Sequence, residues 1–305
     1  MQAFTPYHVP VLLKESVAGL EVKPNGTYVD VTFGGGGHSR EILSRLGGKG
    51  RLIAFDRDAD VAQGGDAVGD KRLTLVKGDF RFLRSYLRYH SAGEVDGILG
   101  DLGVSWHQLD TAERGFSFRF DAPLDMRMNR RGGDTAAALL NARSVQELSR
   151  IFADYGELSN AAKVAKLIEA ARQKSRIATT GALVEALRPV LPPFDEHKYL
   201  AKLFQALRIE VNREMQALAQ MLEQAAKALK AGGRLSIITY HSLEDRMVKN
   251  YIRCGSVSGE AERDVFGKLS APFEAVNRKV ILPEEAEIRQ NTRARSAKLR
   301  IAQKI

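Results

Sequence analysis

The sequence predicts a doubly wound α/β domain that is interrupted by an inserted helical domain. Short, continuously apolar runs end in polar or Gly-rich turns, which is typical of a parallel sheet covered on both faces. A long middle stretch lacks such runs and has Ala and Leu at helical spacing instead. The predicted strands are 28–33, 51–56, 73–76, 95–99 and 234–240, with a sixth at 278–282.

The middle stretch sets the domain boundaries. We expect residues 1–104 and 198–305 to form the α/β domain and residues 105–197 to form the insertion. Short helices are predicted at 40–46 and after Ser144, which has Glu147 at capping-box spacing. A single long amphipathic helix is predicted at 198–230, with an apolar stripe that is buried either internally or in a homodimer. The stripe consists of Leu203, Leu207, Val211, Leu218, Leu222 and Leu229.

Composition limits the class of protein. The 305 residues are 44% hydrophobic, which excludes global disorder, and 46 Lys and Arg against 37 Asp and Glu give a net charge of +9. A basic chain favours an anionic partner, nucleic acid before acidic lipid. Cys254 is the single cysteine, so an internal disulfide and a thiolate metal cluster are excluded and a reducing, cytoplasmic location is expected. The sequence contains no run of ~20 apolar residues, and its start lacks a secretory pattern.

Four glycines at 34–37 follow the first strand and precede a helix. Such a turn lets the backbone approach a polar ligand at the helix N-terminus. Asp56 ends the next strand, where a carboxylate accepts hydrogen bonds from ribose hydroxyls, and Asp79-Phe80 ends the third strand, where it can contact an adenine ring. Ser39 replaces the last glycine of the dinucleotide motif, which disfavours NAD, and no Walker Lys-Ser/Thr pair follows. S-adenosylmethionine (SAM) fits this turn better.

Eight motifs that span residues 8–300 closely resemble the MraW/RsmH family of methyltransferases. The resemblance implies a class I (Rossmann-like) SAM-dependent methyltransferase sheet, and an enzyme that methylates the N4 exocyclic amine of a cytidine in the decoding region of 16S ribosomal RNA. The implied partner is therefore 16S rRNA within the small ribosomal subunit, which the helical insertion helps to hold. The motifs are HVPVLL (8–13), TFGGGGHS (32–39), AFDRD (54–58), DLGVS (101–105), RGFSF (114–118), PLDMR (123–127), YHSLEDR (240–246) and NTRARSAKLR (291–300).

Carried over position by position, the resemblance also implies a set of cofactor-binding residues. It consists of Gly36, Gly37, His38, Asp56, Phe80, Asp101 and Gln108.

Two residues are candidates for the chemistry. Asp101 ends the fourth strand, where a carboxylate can accept a hydrogen bond from the cytosine amine; binding of the SAM amine is the alternative role. His241 follows the fifth strand and can accept the proton that N4 loses, because histidine has a suitable pKa. The alternative for this segment is a helix cap formed by Ser242. The histidines lack metal-ligand spacing, so no metal site is predicted.

Two basic segments are candidates for RNA contact. Residues 114–131 contain five Arg against two Asp, and Phe116, Phe118 and Phe120 would share a face in an extended chain. These rings either stack on bases or anchor the insertion. The tail 289–305 has six Lys or Arg and no acid, which predicts a phosphate-contacting arm or an edge strand. The RNA-binding candidates are Arg114, Arg119, Arg127, Asn291, Arg293 and Arg295.

Three other classes of protein remain as alternatives at this stage. A class I methyltransferase that acts on DNA or a small amine would share the cofactor site, although the basic insertion argues against a small substrate. A non-enzymatic RNA-binding or ribosome-assembly factor would bind without turnover. An NAD-linked oxidoreductase would need a hydride-acceptor site, and the sequence suggests none.

Overall fold

The computed structural model describes residues 10–58, 61, 68–261 and 271–305. The chain divides into two compact units. The sheet unit comprises Met1–Gly103 and Gln216–Ile305, and the helical unit is Val104–Met215. The insertion therefore extends to 215 rather than to 197. His8 and Val9 of the first motif lie outside the described residues.

The sheet unit contains one seven-stranded sheet in the order β3-β2-β1-β4-β5-β7-β6. Strands β1 to β5 are parallel, and β7 is antiparallel to both β5 and β6. The predicted α/β sheet with a helical insertion is confirmed. The strands are β1 Thr27–Asp30, β2 Arg51–Asp56, β3 Leu73–Lys77, β4 Val95–Asp101, β5 Leu229–Thr239, β6 Phe273–Ala275 and β7 Lys298–Lys304.

The end of the chain differs from the prediction. Segment 278–282 is not a strand; Ile281 forms an isolated bridge to Leu299. The strand is β7, from the second half of the basic tail, and it lies between β5 and β6, so the predicted edge strand is wrong; phosphate contact by the residues before β7 stays a prediction. Leu299 and Ile301 of β7 are buried, which outweighs the charge of Arg300 between them.

Helices cover both faces of the sheet. On β1, Tyr28 packs in one core with Ile42 of the helix after the glycine turn, whereas Val29 packs in another with Leu222. Adjacent strand residues therefore face opposite layers, as a doubly wound sheet requires. The helices are α1 Leu13–Ala18, α2 Gly37–Arg45, α3 Leu83–Tyr89, α4 Trp106–Asp110, α5 Ala136–Ala142, α6 Val145–Asp154, α7 Ala161–Lys174, α8 Thr180–Leu187, α9 Glu196–Asn212, α10 Glu214–Ala228, α11 Ser242–Cys254 and α12 Glu285–Gln290.

The single helix predicted at 198–230 is two helices, α9 and α10. Arg213 separates them in the left-handed conformation, with φ of 50°. The predicted stripe is divided accordingly: Leu203 and Leu207 pack in the helical unit, and Leu218 and Leu222 pack against the sheet. This internal burial removes the sequence argument for a homodimer.

The helical unit has its own apolar core. The predicted capping box at the start of α6 is confirmed, because Ser144 and Glu147 each bind the other's backbone N–H. Phe116 is buried and the Phe118 ring packs on Phe204, whereas Phe120 is exposed. The three rings therefore do not share one face, since the segment is not extended. No helix among the described residues is both long and apolar enough to cross a membrane.

Candidate active site

The glycine turn joins the carboxyl end of β1 to α2. Gly34 and Gly36 have φ of 50° and 74°, a region that non-glycine residues rarely adopt. A Cβ on Gly36 would lie 2.8 Å from the Phe33 ring, and one on Gly37 would overlap Pro10. At Gly35 a Cβ would meet no atom of the described residues within 4 Å, so among these residues this side of the turn leaves room for a ligand.

Asp56 fixes the shape of this turn. Its Oδ2 accepts a hydrogen bond from the Gly34 N–H at 2.9 Å, and its Oδ1 accepts one from the Asp58 N–H at 2.8 Å. Burial raises the pKa of Asp56 to about 6. Each carboxylate oxygen keeps a second lone pair, so contact with a ribose stays a prediction that is compatible with this geometry.

Asp79 and Phe80 begin a short 3-10 turn at the end of β3. The Asp79 side chain caps this turn by accepting from the Arg81 N–H at 3.0 Å, and it pairs with Arg81 at 3.0 Å and with Arg57 at 3.6 Å. Phe80 is partly buried against the sheet core. The predicted contact of Asp79 and Phe80 with an adenine ring stays a prediction.

Asp101, at the carboxyl end of β4, is the centre of a polar cluster. The Tyr240 hydroxyl donates to its Oδ1 at 2.7 Å, and His38 Nδ1 lies 3.9 Å from its Oδ2. The Asp101 N–H donates to Thr32 Oγ1 at 2.6 Å. Burial raises the pKa of Asp101 to about 6, although the His38 ring and the Tyr240 hydrogen bond oppose this shift. The Asp101 side chain is still 24% exposed, so a substrate can reach it.

His38 connects this cluster to the N-terminal segment. The ring is buried, and Nε2 lies 3.1 Å from the Val11 carbonyl oxygen, which can only accept a hydrogen bond. Nε2 therefore carries the proton, and Nδ1 is the nitrogen that faces Asp101. In this structure His38 Nδ1 lies beside Asp101 at 3.9 Å, beyond hydrogen-bond distance; the predicted contact of His38 with the cofactor stays a prediction.

Sequence reasoning assigned no role to Asp30 or Tyr240. Asp30 is fully buried at the end of β1, where Ser39 Oγ donates to it at 2.7 Å and the Thr32 N–H at 3.0 Å. Burial raises the pKa of Asp30. Asp30 ends β1 and Tyr240 follows β5, the two neighbours of β4, and a polar residue at the carboxyl end of an adjacent parallel strand is the signal that could have identified them.

His241 is itself the cap of α11, so the Ser242 cap is wrong. Its side chain accepts from the Glu244 N–H at 3.4 Å, which assigns the acceptor role to Nδ1. His241 Nε2 lies 3.3 Å from Glu244 Oε1, without hydrogen-bond geometry. Glu244 also accepts from the Tyr240 N–H at 2.9 Å. Glu244 thus connects His241 to Tyr240, whose hydroxyl binds Asp101.

The candidates in the helical unit differ in exposure. Gln108 closes a capping box with Ser105, so its predicted contact with the cofactor remains untested. Arg114 is a correction: it is 1% exposed, and its guanidinium donates to the carbonyls of Arg127 and Met128, so it cannot bind phosphate. Arg127 is partly buried and pairs with Asp125 at 2.7 Å.

The remaining RNA-binding candidates also differ in their exposure to solvent. Arg119 and Arg295 are exposed and Arg293 is partly exposed, as phosphate contact requires. Asn291 is 9% exposed, and its Oδ1 accepts from the Arg293 N–H at 3.1 Å. Asn291 therefore shapes the backbone before β7, and its predicted role in RNA contact stays a prediction.

Fold and site together define an α/β protein that binds a nucleoside cofactor at the carboxyl edge of its sheet. The model of the MraW methylase family matches residues 5–305, and the chain belongs to this family. It is 59% identical over 300 residues to "Ribosomal RNA small subunit methyltransferase H" of Bacteroides fragilis (strain YCH46), with 98% of each chain covered. The protein of the same name from Christiangramia forsetii is 52% identical over 305 residues, with 100% of each chain covered.

The predicted methyltransferase class is thereby confirmed, and the cofactor of this family is SAM. The residues present fit this cofactor. The open side of Gly35 gives room for a ligand beside the turn. Asp56 and Asp101 supply anionic oxygens, for ribose hydroxyls and for an ammonium or amine, at the ends of β2 and β4.

Proposed function

We propose that this protein methylates the N4 amine of a cytidine in the decoding region of 16S rRNA, within the small ribosomal subunit. The family and the names of its relatives support methylation of small-subunit rRNA. The observation that carries the finer proposal is the carboxylate of Asp101, which is held by Tyr240 at the end of β4 and remains partly exposed. A cytoplasmic location is part of the proposal, since ribosomal subunits are the substrate.

Asp101 suits an amine acceptor of methyl groups. The lone pair of cytosine N4 is delocalised into the ring, so the amine is a weak nucleophile. A carboxylate that accepts a hydrogen bond from N4–H favours a pyramidal nitrogen and fixes its direction of attack. When bound, SAM supplies an electrophilic methyl group on a sulfonium. The amine that takes this methyl group through its lone pair would have to release one proton, which Asp101 or His241 would accept, while the sulfonium would leave as a neutral thioether.

The two candidate roles of Asp101 both require its ionised form. Binding of the SAM amine and acceptance of N4–H each place an N–H donor against the Asp101 carboxylate, which accepts from Tyr240 through one lone pair of Oδ1 and keeps its other lone pairs available. With a pKa of about 6, the carboxylate is ionised at neutral pH and is basic enough to accept the released proton. His241 remains the second candidate for this proton; its Nε2 faces Glu244.

The test is transfer of a labelled methyl group from SAM to small subunits purified from a bacterial strain that lacks the enzyme. We expect label on cytosine N4, identified by mass spectrometry of the nucleosides. Asp101→Ala should abolish transfer, because no other described group occupies its position. Label on another atom, or full activity of Asp101→Ala, would contradict the proposal; SAM binding without any transfer would favour a binding role.

A further inference from the structure

The outer side of α3 is unusual among the described surfaces of the sheet unit. It presents two large aromatic rings to solvent, Phe82 at 55% and Tyr89 at 81% exposure. Arg84 and Arg88 are exposed beside them. We call the surface formed by Phe82, Arg84, Ser85, Arg88 and Tyr89 the α3 outer face.

The inner side of α3 explains why these residues point outward. Leu83 and Leu87 are four residues apart and fully buried in the sheet core. Gln224 of α10 accepts from the Arg84 N–H at 2.9 Å and donates to the Arg81 carbonyl. The helix is therefore held in one orientation, and its exposed rings are not needed for packing.

The charge on this surface has one sign. The sequence contains no Asp or Glu between Asp79 and Glu94. Arg84 and Arg88 are one helical turn apart and therefore lie next to each other on the helix surface. Within the part of the chain that the structure describes, neither arginine forms an ion pair. The helix itself carries no acid that could neutralise these two arginines.

The start of α3 lies near the candidate active site, whereas its end at Tyr89 lies toward the opposite edge of the sheet, where Arg51 at the start of β2 donates to the His90 carbonyl. The turn that leads into α3 begins at Asp79, directly after β3, at the carboxyl edge where Asp56 and Asp101 also end their strands. A nucleic acid strand that places a base at this edge has phosphates and neighbouring bases within reach of adjoining surfaces.

We propose that the α3 outer face binds single-stranded RNA, with Arg84 and Arg88 on phosphates and Tyr89 or Phe82 stacked on a base. Guanidinium groups beside aromatic rings match the two repeating parts of such a strand, its anionic backbone and its planar bases. This inference rests on the proposed function, because it names further residues that hold the same rRNA.

The experiment measures binding of a short fluorescein-labelled single-stranded RNA of small-subunit sequence by fluorescence polarisation at several salt concentrations. Removal of two phosphate contacts in Arg84→Ala/Arg88→Ala should make the decrease of log affinity with log salt less steep, by about 1 to 2 in slope. Tyr89→Ala should weaken binding roughly five- to hundredfold. SAM affinity and Tm should be unchanged, since these side chains are exposed.

The matched control is Lys249→Ala/Arg253→Ala on α11, which removes two exposed cations at the same spacing from the same unit. Equal weakening by both double variants would show an effect of net charge and would overturn the proposal. Unchanged RNA binding with impaired transfer to intact subunits would assign the surface to a ribosomal protein instead. If the wild-type enzyme methylates subunits and the α3 variants match it in RNA binding and transfer, the surface proposal alone fails; no transfer by wild type refutes the proposed function.

Discussion

Replacement of Tyr240 by phenylalanine tests how the fold controls the charge of Asp101. The substitution removes the hydroxyl that donates to Asp101 Oδ1 at 2.7 Å and keeps the buried ring. That hydrogen bond stabilises the ionised carboxylate, so its loss raises the pKa of Asp101 above about 6. Besides Tyr240, the titratable groups that face Asp101 are His38, Asp30 and Glu244.

The size of the effect follows from the kind of hydrogen bond. A hydrogen bond to a charged group contributes about 1.5–3 kcal/mol, which corresponds to a pKa of roughly 7–8 in the variant. At pH 7 the ionised fraction then falls from about nine-tenths to between roughly a half and a tenth. Methyl transfer at pH 7 should therefore decrease about two- to tenfold, whereas activity near pH 9 should approach that of the wild type.

The assay is the pH profile of kcat and KM for methyl transfer to small subunits. We expect the acid limb to move to higher pH in Tyr240→Phe. A shift in KM for SAM would indicate that Asp101 binds the cofactor amine, and a shift in kcat would indicate contact with the cytosine. An acid limb that stays in place, or moves to lower pH, would refute the reasoning.

Tyr28→Phe is the matched control for this substitution. Tyr28 is also buried, and its hydroxyl accepts from the Lys23 N–H at 2.7 Å, away from the carboxyl edge. Its loss should lower stability without moving the acid limb. An equal shift in this control would mean that the profile reports a general loss of packing.

Three further outcomes are expected. SAM affinity, measured by calorimetry, should fall as the pH decreases below about 6, because protonation of Asp56 removes an anionic acceptor for the ribose, and a flat profile in the wild type would contradict the ribose assignment. Asp56→Asn should weaken binding and reduce this dependence; a dependence that remains would report Asp101, whose pKa is also about 6. Arg114→Met leaves two carbonyls without their donor and should lower the free energy of unfolding by at least about 2 kcal/mol in urea titrations; a neutral result would show that the buried cation is dispensable. Arg213→Gly should stabilise the chain by about 1 kcal/mol because φ is 50°, and destabilisation would point to a role for the side chain.

The parallel sheet and its cofactor-binding edge can be recognised from local sequence patterns. Strands β1 to β4 and the second half of β5 are local signals, since each contains a short apolar run that closes on a turn, whereas the first residues of β5, from Leu229, carry no such signal. The glycine turn and Asp56 were identifiable because backbone freedom and a carboxylate at a strand end are properties of the chain itself. Motifs along the whole length of the chain identify the family without knowledge of any tertiary contact.

Tertiary structure alone decided which polar groups act together and which are buried. Arg114 and Arg119 look alike in the sequence, yet one is 1% exposed and the other is exposed, because a guanidinium can be buried when carbonyls satisfy it. One apolar stripe serves two cores because Arg213 breaks the helix, which periodicity does not reveal. Tyr240 meets Asp101 across 139 residues of chain, since strand order rather than sequence separation determines neighbours at the carboxyl edge of a sheet.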